Sequence, residues 1–140
     1  MINKMKIGDF RSYEKTITKE MVKEFGVLTG DLNEAHFSEK YTKTTIFKKP
    51  IIHGMFVGSL FSKIFGMDYP GEGTIYTGQT LKFLKPLYPD ERLTIKVTVK
   101  EIILEKNRVI FTTEVFNENN ELALTGEATL MPKKVNLWKN

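Results

Sequence analysis

The sequence contains no cysteine and only two histidines, His36 and His53. A disulfide framework, a thiolate metal site and a cysteine nucleophile are therefore excluded. The G-x-S-x-G motif of the α/β-hydrolases is also absent, and the glycines of segment 71–73 precede a predicted strand, whereas a dinucleotide-binding loop follows one. These absences exclude several common kinds of enzyme site, and we expect neither a cofactor nor a metal ion.

The chain also lacks an apolar run long enough to span a membrane. Its most apolar stretch, residues 51–67, is interrupted by three glycines and by Lys63. The first ten residues contain no apolar segment of signal-peptide length, so a cytoplasmic protein without a membrane partner is expected. The net charge is +4, but no basic stripe interleaved with aromatic residues is present, which argues against a nucleic-acid partner. A length of 140 residues predicts one domain, residues 1–140.

That apolar stretch predicts a central helix. Its apolar residues surround the helix axis instead of forming one stripe, which is typical of a helix buried on every side. Pro50 precedes the helix, and Gly66 is expected to close it. Gly54, Gly58 and Ser62 recur every four residues, so three small side chains share one face. The spacing alone leaves two interpretations open for this face, a tightly packed strand or helix on the one hand and a ligand on the other.

The remaining sequence predicts one more helix and a sheet. Thr18 is a predicted N-cap and Gly30 a predicted C-terminal cap of an amphipathic helix. After the central helix the hydrophobic period changes from about 3.6 residues to about 2. We expect a lead-in strand at 9–17, strands at 74–86, 92–100, 108–116 and 122–131, and a frayed tail at 135–140. One buried helix followed by successive strands predicts an α+β fold, with an antiparallel meander curled around the helix.

The polar residues that carry chemistry lie just ahead of the central helix. Asp31, Asn33 and His36 occupy one loop, and His53 and Gly54 open the helix. Each has an ordinary explanation, since Asp and Asn form turns and a loop histidine is usually solvated. Together they combine an acid, a titratable base and a helix N-terminus whose N–H groups favour negative charge. These are the groups needed to add water across a polarised double bond.

The stretch LTGDLNEAHFSEKYTKTTIFKKPIIHGMFVGSLFS, continued by GEGTIYTGQTLKFLKPLYPDE, resembles the motif of MaoC-like, (R)-specific enoyl-CoA hydratases. The likeness covers roughly residues 18 to 131. It implies a hotdog fold, in which an antiparallel β-sheet wraps around a long central α-helix. It also implies a homodimer or dimer of dimers with active sites near the subunit boundary. The implied substrate is a trans-2-enoyl thioester of coenzyme A or acyl carrier protein, which is hydrated to the (R)-3-hydroxyacyl product or formed from it by dehydration.

The resemblance also implies roles for individual residues. Asp31 and His36 match the family's catalytic pair, and Asn33 matches the loop asparagine between them. Gly54 falls where a helix-start N–H holds the thioester oxygen, and Ser62 falls where a helix hydroxyl shapes the site, so that the small face flanks the ligand. The predicted substrate-binding residues are Asn33, His53, Gly58, Ser62 and Tyr76, and the packing of Tyr76 is expected to help set the depth of the acyl pocket.

Two alternatives stay open, and one departure from the motif keeps the non-catalytic one open. This chain has Glu34-Ala35 where the family typically has proline and a bulky aliphatic residue. A hotdog acyl-CoA thioesterase would use Asp31 to direct water at the carbonyl carbon, and a non-catalytic module would bind acyl thioesters without turnover. The products distinguish the three functions, because hydrolysis releases a free thiol and hydration removes the enoyl absorbance.

Overall fold

One antiparallel sheet and three α-helices make up the part of the chain that the structure, a computed structural model, describes: residues 1–134. The predicted frayed tail at 135–140 lies outside the described residues. The helices are α1 (Lys19–Thr29), α2 (Glu39–Thr42) and α3 (Gly54–Lys63). The strands are β1 (Phe10–Thr16), β2 (Ile75–Gln79), β3 (Lys82–Phe83), β4 (Arg92–Ile103), β5 (Arg108–Phe116) and β6 (Leu122–Met131). Among the described residues, no helix has both the length and the apolar character of a membrane span.

The sheet has the strand order β1-β4-β5-β6-β2, with β3 also paired to β6. Strands β4, β5 and β6 form the predicted meander. The expectation that the strand after the central helix continues directly into this meander was wrong, because β2 and β3 pair with β6 and not with β4. Residues 84–91, which contain Pro86 and Pro89, connect β3 to β4 and are too long for a tight hairpin. The chain therefore passes from one edge of the sheet to its middle.

The core forms where the alternating face of the sheet meets α3. Leu93, Ile95, Val97 and Val99 of β4 are all at most 2% exposed, so every second residue faces inward, as the period of about 2 predicts for the strand at 92–100. Burial of each such aliphatic side chain contributes about 1.5–3 kcal/mol. On the helix the buried positions are Val57, Gly58, Leu60 and Phe61. The prediction of a helix buried on every side was wrong, since Met55 is 64% exposed and Ser62 is exposed as well.

The C-terminal end of α3 also differs from the prediction that Gly66 closes it. The helix continues as a π-helical turn, Ile64–Asp68, and Gly66 lies inside that turn. The hydroxyl of Tyr13 on β1 donates to the Leu60 carbonyl at 2.8 Å, while the Ile64 N–H bonds to the Phe61 carbonyl. Because the usual acceptor of the Ile64 N–H is held by a residue distant in sequence, the hydrogen-bond pattern changes there. Local sequence cannot reveal this cause.

The predicted continuous strand at 74–86 is interrupted, so its simple alternation was also wrong. The register shifts between Tyr76 and Gly78, and the strand breaks at Thr80. Thr80 stays attached to β6, because its N–H donates to the Glu127 carbonyl and its Oγ1 accepts from the Glu127 N–H, both at 2.9 Å. A Cβ at Gly126 would lie 1.8 Å from the Thr80 carbonyl oxygen. Gly126 therefore permits this close backbone approach.

We expect Gly126→Ala to destabilise the fold by about 1–3 kcal/mol or more, because the added methyl group overlaps the Thr80 carbonyl. Gly78→Ala is the matched control, since a Cβ at Gly78 meets no atom within 4 Å. The free energy of unfolding from urea titrations checks this. Equal stabilities of the two variants would contradict the importance of the close approach.

Candidate active site

The loop that follows α1 is ordered by its own hydrogen bonds. Helix α1 begins at the predicted cap Thr18 and ends at Gly30 in the left-handed conformation (φ 82), which confirms both predicted caps. The Asn33 side chain accepts from the Ala35 N–H at 2.9 Å and so caps a 3₁₀ turn, Glu34–His36. Asp31 Oδ1 accepts from the Asn33 N–H at 3.3 Å. The predicted acid and imidazole are therefore separated by one compact turn, in which Asn33 supplies a structural bond.

His36 is oriented by the backbone just ahead of α3. Its Nδ1 lies 2.8 Å from the Ile51 carbonyl oxygen, and the Ile51 N–H donates to the Ala35 carbonyl at 3.0 Å. A carbonyl oxygen only accepts, so Nδ1 carries the proton and Nε2 carries the lone pair. Burial lowers the pKa of His36 and the nearby His53 lowers it further, whereas the bond to Ile51 and the Asp31 charge oppose this. The neutral ring, with Nε2 as an acceptor, is therefore favoured.

His53 lies beside His36 at the start of α3. The two imidazole rings stack with centroids 3.8 Å apart and planes 25° apart. His53 Nε2 lies 2.9 Å from the Asp31 carbonyl oxygen, so this nitrogen donates to it. One ligand atom from each of Asp31, His36 and His53 lies within 4.8 Å of the others. The structure thus brings together three of the predicted site residues.

This group of three could be considered as a metal site, because two imidazoles and a carboxylate are common ligands of divalent ions. A bound ion requires lone pairs that converge on one point. The nearly parallel rings of His36 and His53 do not converge in this way, and one nitrogen of each already bonds to a backbone carbonyl. The arrangement fits a stacked imidazole pair better than a set of metal ligands.

The N-terminus of α3 faces the same place. Its N-cap, His53, makes no side-chain capping bond, and the first intrahelical donors are the N–H groups of Phe56 and Val57. Within residues 1–134 the Gly54 N–H has no hydrogen-bond acceptor. An unpaired N–H at the positive end of a helix is suited to hold a developing negative charge.

A cavity of about 510 Å³ joins these groups. Its lining includes the clustered Asp31, His36 and His53, together with Gly54 and Lys85. The apolar wall comes from the segment before α3, from the helix itself, from the β3–β4 connection and from β6. Its residues are Ile46, Phe47, Ile51, Ile52, Met55, Val57, Phe83, Leu84, Pro86, Leu87, Ala123 and Leu124. The cavity can therefore accept a molecule with a polar reacting group and an apolar chain.

The small face of α3 is covered by neighbouring side chains. A Cβ at Gly54 would lie 2.6 Å from the Phe83 ring, and one at Gly58 would lie 2.9 Å from Leu81. Of the two interpretations left open for this face, tight packing against a strand segment is the one observed at Gly58. Neither Gly58 nor the exposed Ser62 is among the cavity-lining residues.

Tyr76 also lies outside the cavity wall. Its hydroxyl donates to Gln79 Oε1, and its ring packs edge-on against Phe65 at a centroid distance of 5.2 Å. Sequence reasoning missed the orienting role of the Ile51 carbonyl, because a backbone acceptor leaves no mark in the residue pattern. It also missed Ala123 and Leu124, which the sequence pattern indicates only as members of a strand.

Together, the sheet, the central helix and the paired acid and imidazole define a hotdog-fold domain with a polar site at its helix N-terminus. The chain belongs to the family described as MaoC like domain, whose family model matches residues 6–121.

Known relatives agree with this assignment. The (R)-specific enoyl-CoA hydratase of Aeromonas caviae is 35% identical over 126 residues, covering 90% of this chain and 94% of that protein. The (R)-specific enoyl-CoA hydratase of Rhodospirillum rubrum is 38% identical over 127 residues, covering 91% and 88%. The solved structure of the (R)-hydratase from A. caviae involved in PHA biosynthesis has a TM-score of 0.87 at 35% identity, covering 91% of this chain and 96% of that one. This likeness confirms the predicted hotdog fold.

We expect the His36 ring to titrate below the ordinary histidine pKa of 6.5, because burial disfavours its charged form. NMR spectra of the ring protons across a pH series measure this value, and His36→Ala identifies the signal by its loss. Asp31→Asn should lower the pKa further, since the carboxylate charge favours the imidazolium. A pKa at or above 6.5 in the unaltered protein would contradict the buried, carbonyl-bonded geometry.

Proposed function

We propose that this protein is an (R)-specific enoyl-CoA hydratase, which adds water to a trans-2-enoyl thioester or removes it from the (R)-3-hydroxyacyl thioester. The observation that carries the proposal is the convergence of Asp31, His36 and the unpaired Gly54 N–H on one largely apolar cavity. Relatives that are 35% and 38% identical over about nine tenths of the chain are (R)-specific enoyl-CoA hydratases, which supports the same activity.

The catalytic step assigned to Asp31 and His36 is the activation of one water molecule. The carboxylate and the unprotonated Nε2 of His36 are both acceptors, so they can each bind one hydrogen of the same water. Its oxygen lone pair then points at C3 of the enoyl group. As the C3–O bond forms, one of the two groups takes a proton from the water and then delivers that same proton to C2 from the same side, where it bonds to the electron pair released from the former double bond. Addition is therefore syn, and the (R)-alcohol is the proposed product because the hydratase relatives are (R)-specific.

Negative charge moves to the thioester oxygen while water adds, because the electrons of the C2–C3 double bond shift into the carbonyl group. The Gly54 N–H is the proposed donor to that oxygen, with the dipole of α3 behind it. A positioned oxyanion donor typically contributes about 2.7–4 kcal/mol to transition-state stabilisation. The general acid and base typically contribute about a hundred- to ten-thousand-fold. The two contributions act on different atoms of the substrate and are both required.

The apolar wall of the cavity is the proposed site of the acyl chain. Coenzyme A is the proposed carrier, since the named hydratase relatives use enoyl-CoA. Acyl carrier protein is the other carrier to test, because two further relatives are 3-hydroxyacyl-[acyl-carrier-protein] dehydratases. Comparing crotonyl-CoA, octenoyl-CoA and the corresponding acyl-carrier-protein thioesters identifies the chain length and the carrier.

The decisive experiment follows the fate of crotonyl-CoA with purified protein. Loss of the enoyl absorbance with formation of the (R)-alcohol supports hydration. Release of free coenzyme A without loss of the double bond would instead indicate the thioesterase alternative, and binding without turnover would indicate the non-catalytic module.

A homodimer forms part of the proposal. Strands β1 and β2 are the edges of the sheet within the described residues, and such edges favour pairing with another chain. Met55, Met67, Ile75 and Phe83 are each more than half exposed, which is typical of a surface that a partner covers. Light scattering coupled to gel filtration tests the dimer.

The cytoplasmic location stays a prediction.

We expect Asp31→Asn and His36→Ala each to lower the hydration rate by at least about a hundredfold, since each removes one of the two acceptors for the water. Glu34→Gln is the matched control for charge, because Glu34 is an exposed carboxylate of the same loop. Circular dichroism verifies folding. Near-normal turnover in Asp31→Asn or His36→Ala would refute the paired role.

The oxyanion donor can be tested by comparing Gly54→Pro with Gly54→Ala. Both place a Cβ against the Phe83 ring, but only proline removes the N–H. Proline is well accommodated at the first position of a helix, and His53 already has the extended conformation (φ −56, ψ 128) that a following proline requires. We expect kcat of Gly54→Pro to lie about a hundred- to a thousandfold below that of Gly54→Ala. Equal rates would place the donor elsewhere.

A further inference from the structure

His53 is a buried imidazole for which packing alone does not account. It is 2% exposed and lies among aromatic rings, with centroid distances of 4.9 Å to Phe25, 5.7 Å to Phe37 and 3.8 Å to His36. Its Nδ1 is buried and has no hydrogen-bond partner within the described residues. Buried polar atoms are nearly always paired, so an unpaired one indicates a requirement other than stability. A leucine would fill a similar volume without burying an unpaired acceptor.

The other ring nitrogen makes a contact that is long-range in sequence. His53 Nε2 donates to the carbonyl oxygen of Asp31 at 2.9 Å, across 22 positions of the chain. The side-chain bonds that Asp31 otherwise takes part in are local: its N–H donates to Thr29 Oγ1, and its Oδ1 accepts from the Asn33 N–H. Such bonds shape the loop, but they do not fix its distance from α3. The His53 bond does so, because His53 is the residue immediately before Gly54.

We infer that His53 is a positioning residue, which holds the Asp31 backbone against the start of α3 and supports the His36 ring by stacking. This inference rests on the proposed function, in which Asp31 and His36 hold the water and Gly54 holds the thioester oxygen. It differs from the direct substrate contact that the sequence predicts for His53, because the role assigned here acts through the bond to Asp31 and the stacking on His36. Its polar bond fixes the three proposed catalytic groups relative to one another.

The geometry explains why an imidazole is needed here. Nε2 is four bonds from Cα, so it can reach the Asp31 carbonyl while the ring plane lies on His36. A displacement of the loop by about 1 Å relative to Gly54 can lower a rate by about a hundredfold, since water and thioester are then misaligned. The expected defect is in kcat and not in KM, because the apolar cavity wall is unchanged.

The test compares His53→Gln with His53→Asn. Both side chains are amides, but the Gln nitrogen is four bonds from Cα, like Nε2 of histidine, and the Asn nitrogen is only three. We expect kcat with crotonyl-CoA to fall by less than about tenfold in His53→Gln and by about a hundredfold or more in His53→Asn, with KM changed by less than about threefold in both. His53→Leu has no donor and no unpaired acceptor, so its kcat should match that of His53→Asn. If the Asn variant does not fold, the Leu variant takes its place in the comparison with His53→Gln.

Two further measurements separate positioning from general stability. Amide hydrogen exchange of residues 31–36 should be faster in His53→Asn and His53→Leu than in His53→Gln, because the loop then loses the bond at Asp31 and is held only by its bonds to Ile51. The His53 imidazole lowers the pKa of His36, so its removal should raise that pKa. The acid limb of the rate profile should therefore move to higher pH in all three variants.

Equal kcat values in His53→Gln, His53→Asn and His53→Leu would overturn the inference. A defect confined to KM would overturn it as well. A failure of the proposed function has a different pattern: the unaltered protein would not hydrate crotonyl-CoA, while the difference in hydrogen exchange between the Gln and Asn variants would persist. Normal hydration with no difference in exchange or kcat would leave the proposed function intact and refute the role of His53.

Discussion

The attachment of one short loop to the residues just ahead of the central helix is the constraint on which the proposed site depends. Two imidazoles make this attachment in opposite directions: His36, in the loop, donates to the carbonyl just ahead of the helix, and His53, at the helix, donates to a carbonyl of the loop. Their rings stack where the two segments meet. Because both bonds use backbone acceptors, they fix main-chain positions as well as side chains. The acid, the base and the helix N–H therefore keep one spatial relation.

The features predicted correctly from the sequence are those determined by residues close together in the chain. Thr18 and Gly30 cap α1 as expected, because capping involves only the nearest turn. The alternation of Leu93, Ile95, Val97 and Val99 identified the inward face of β4, because a strand repeats every two residues. The hotdog fold followed from a motif that covers most of the chain, and the structural likeness confirms it.

The predictions that were wrong depend on partners distant in sequence. Gly66 does not end the central helix, because Tyr13 on β1 binds the Leu60 carbonyl and the helix continues as a π turn. The strand at 74–86 is interrupted because Thr80 bonds to Glu127 on β6, where Gly126 leaves space. No local pattern contains these pairings. For the site, the sequence indicated Asp31, His36, His53 and Gly54, which the structure brings together, while the roles assigned to them stay predictions. Gly58, Ser62 and Tyr76 lie outside the cavity wall.

The 3₁₀ turn between the acid and the imidazole has a consequence for how this site can vary. Its shape is set by the Asn33 cap and by the N–H groups of Phe37 and Ser38, which donate to the Glu34 carbonyl. None of these bonds uses the side chain at position 34. Glu34 occupies the first position of the turn, where proline is also compatible, so an exchange between them leaves the direction of His36 unchanged. The residue at position 34 can thus change without a change in the shape of the turn. Position 34 is a place where the chain can exchange charge for backbone rigidity while the framework that directs His36 stays the same.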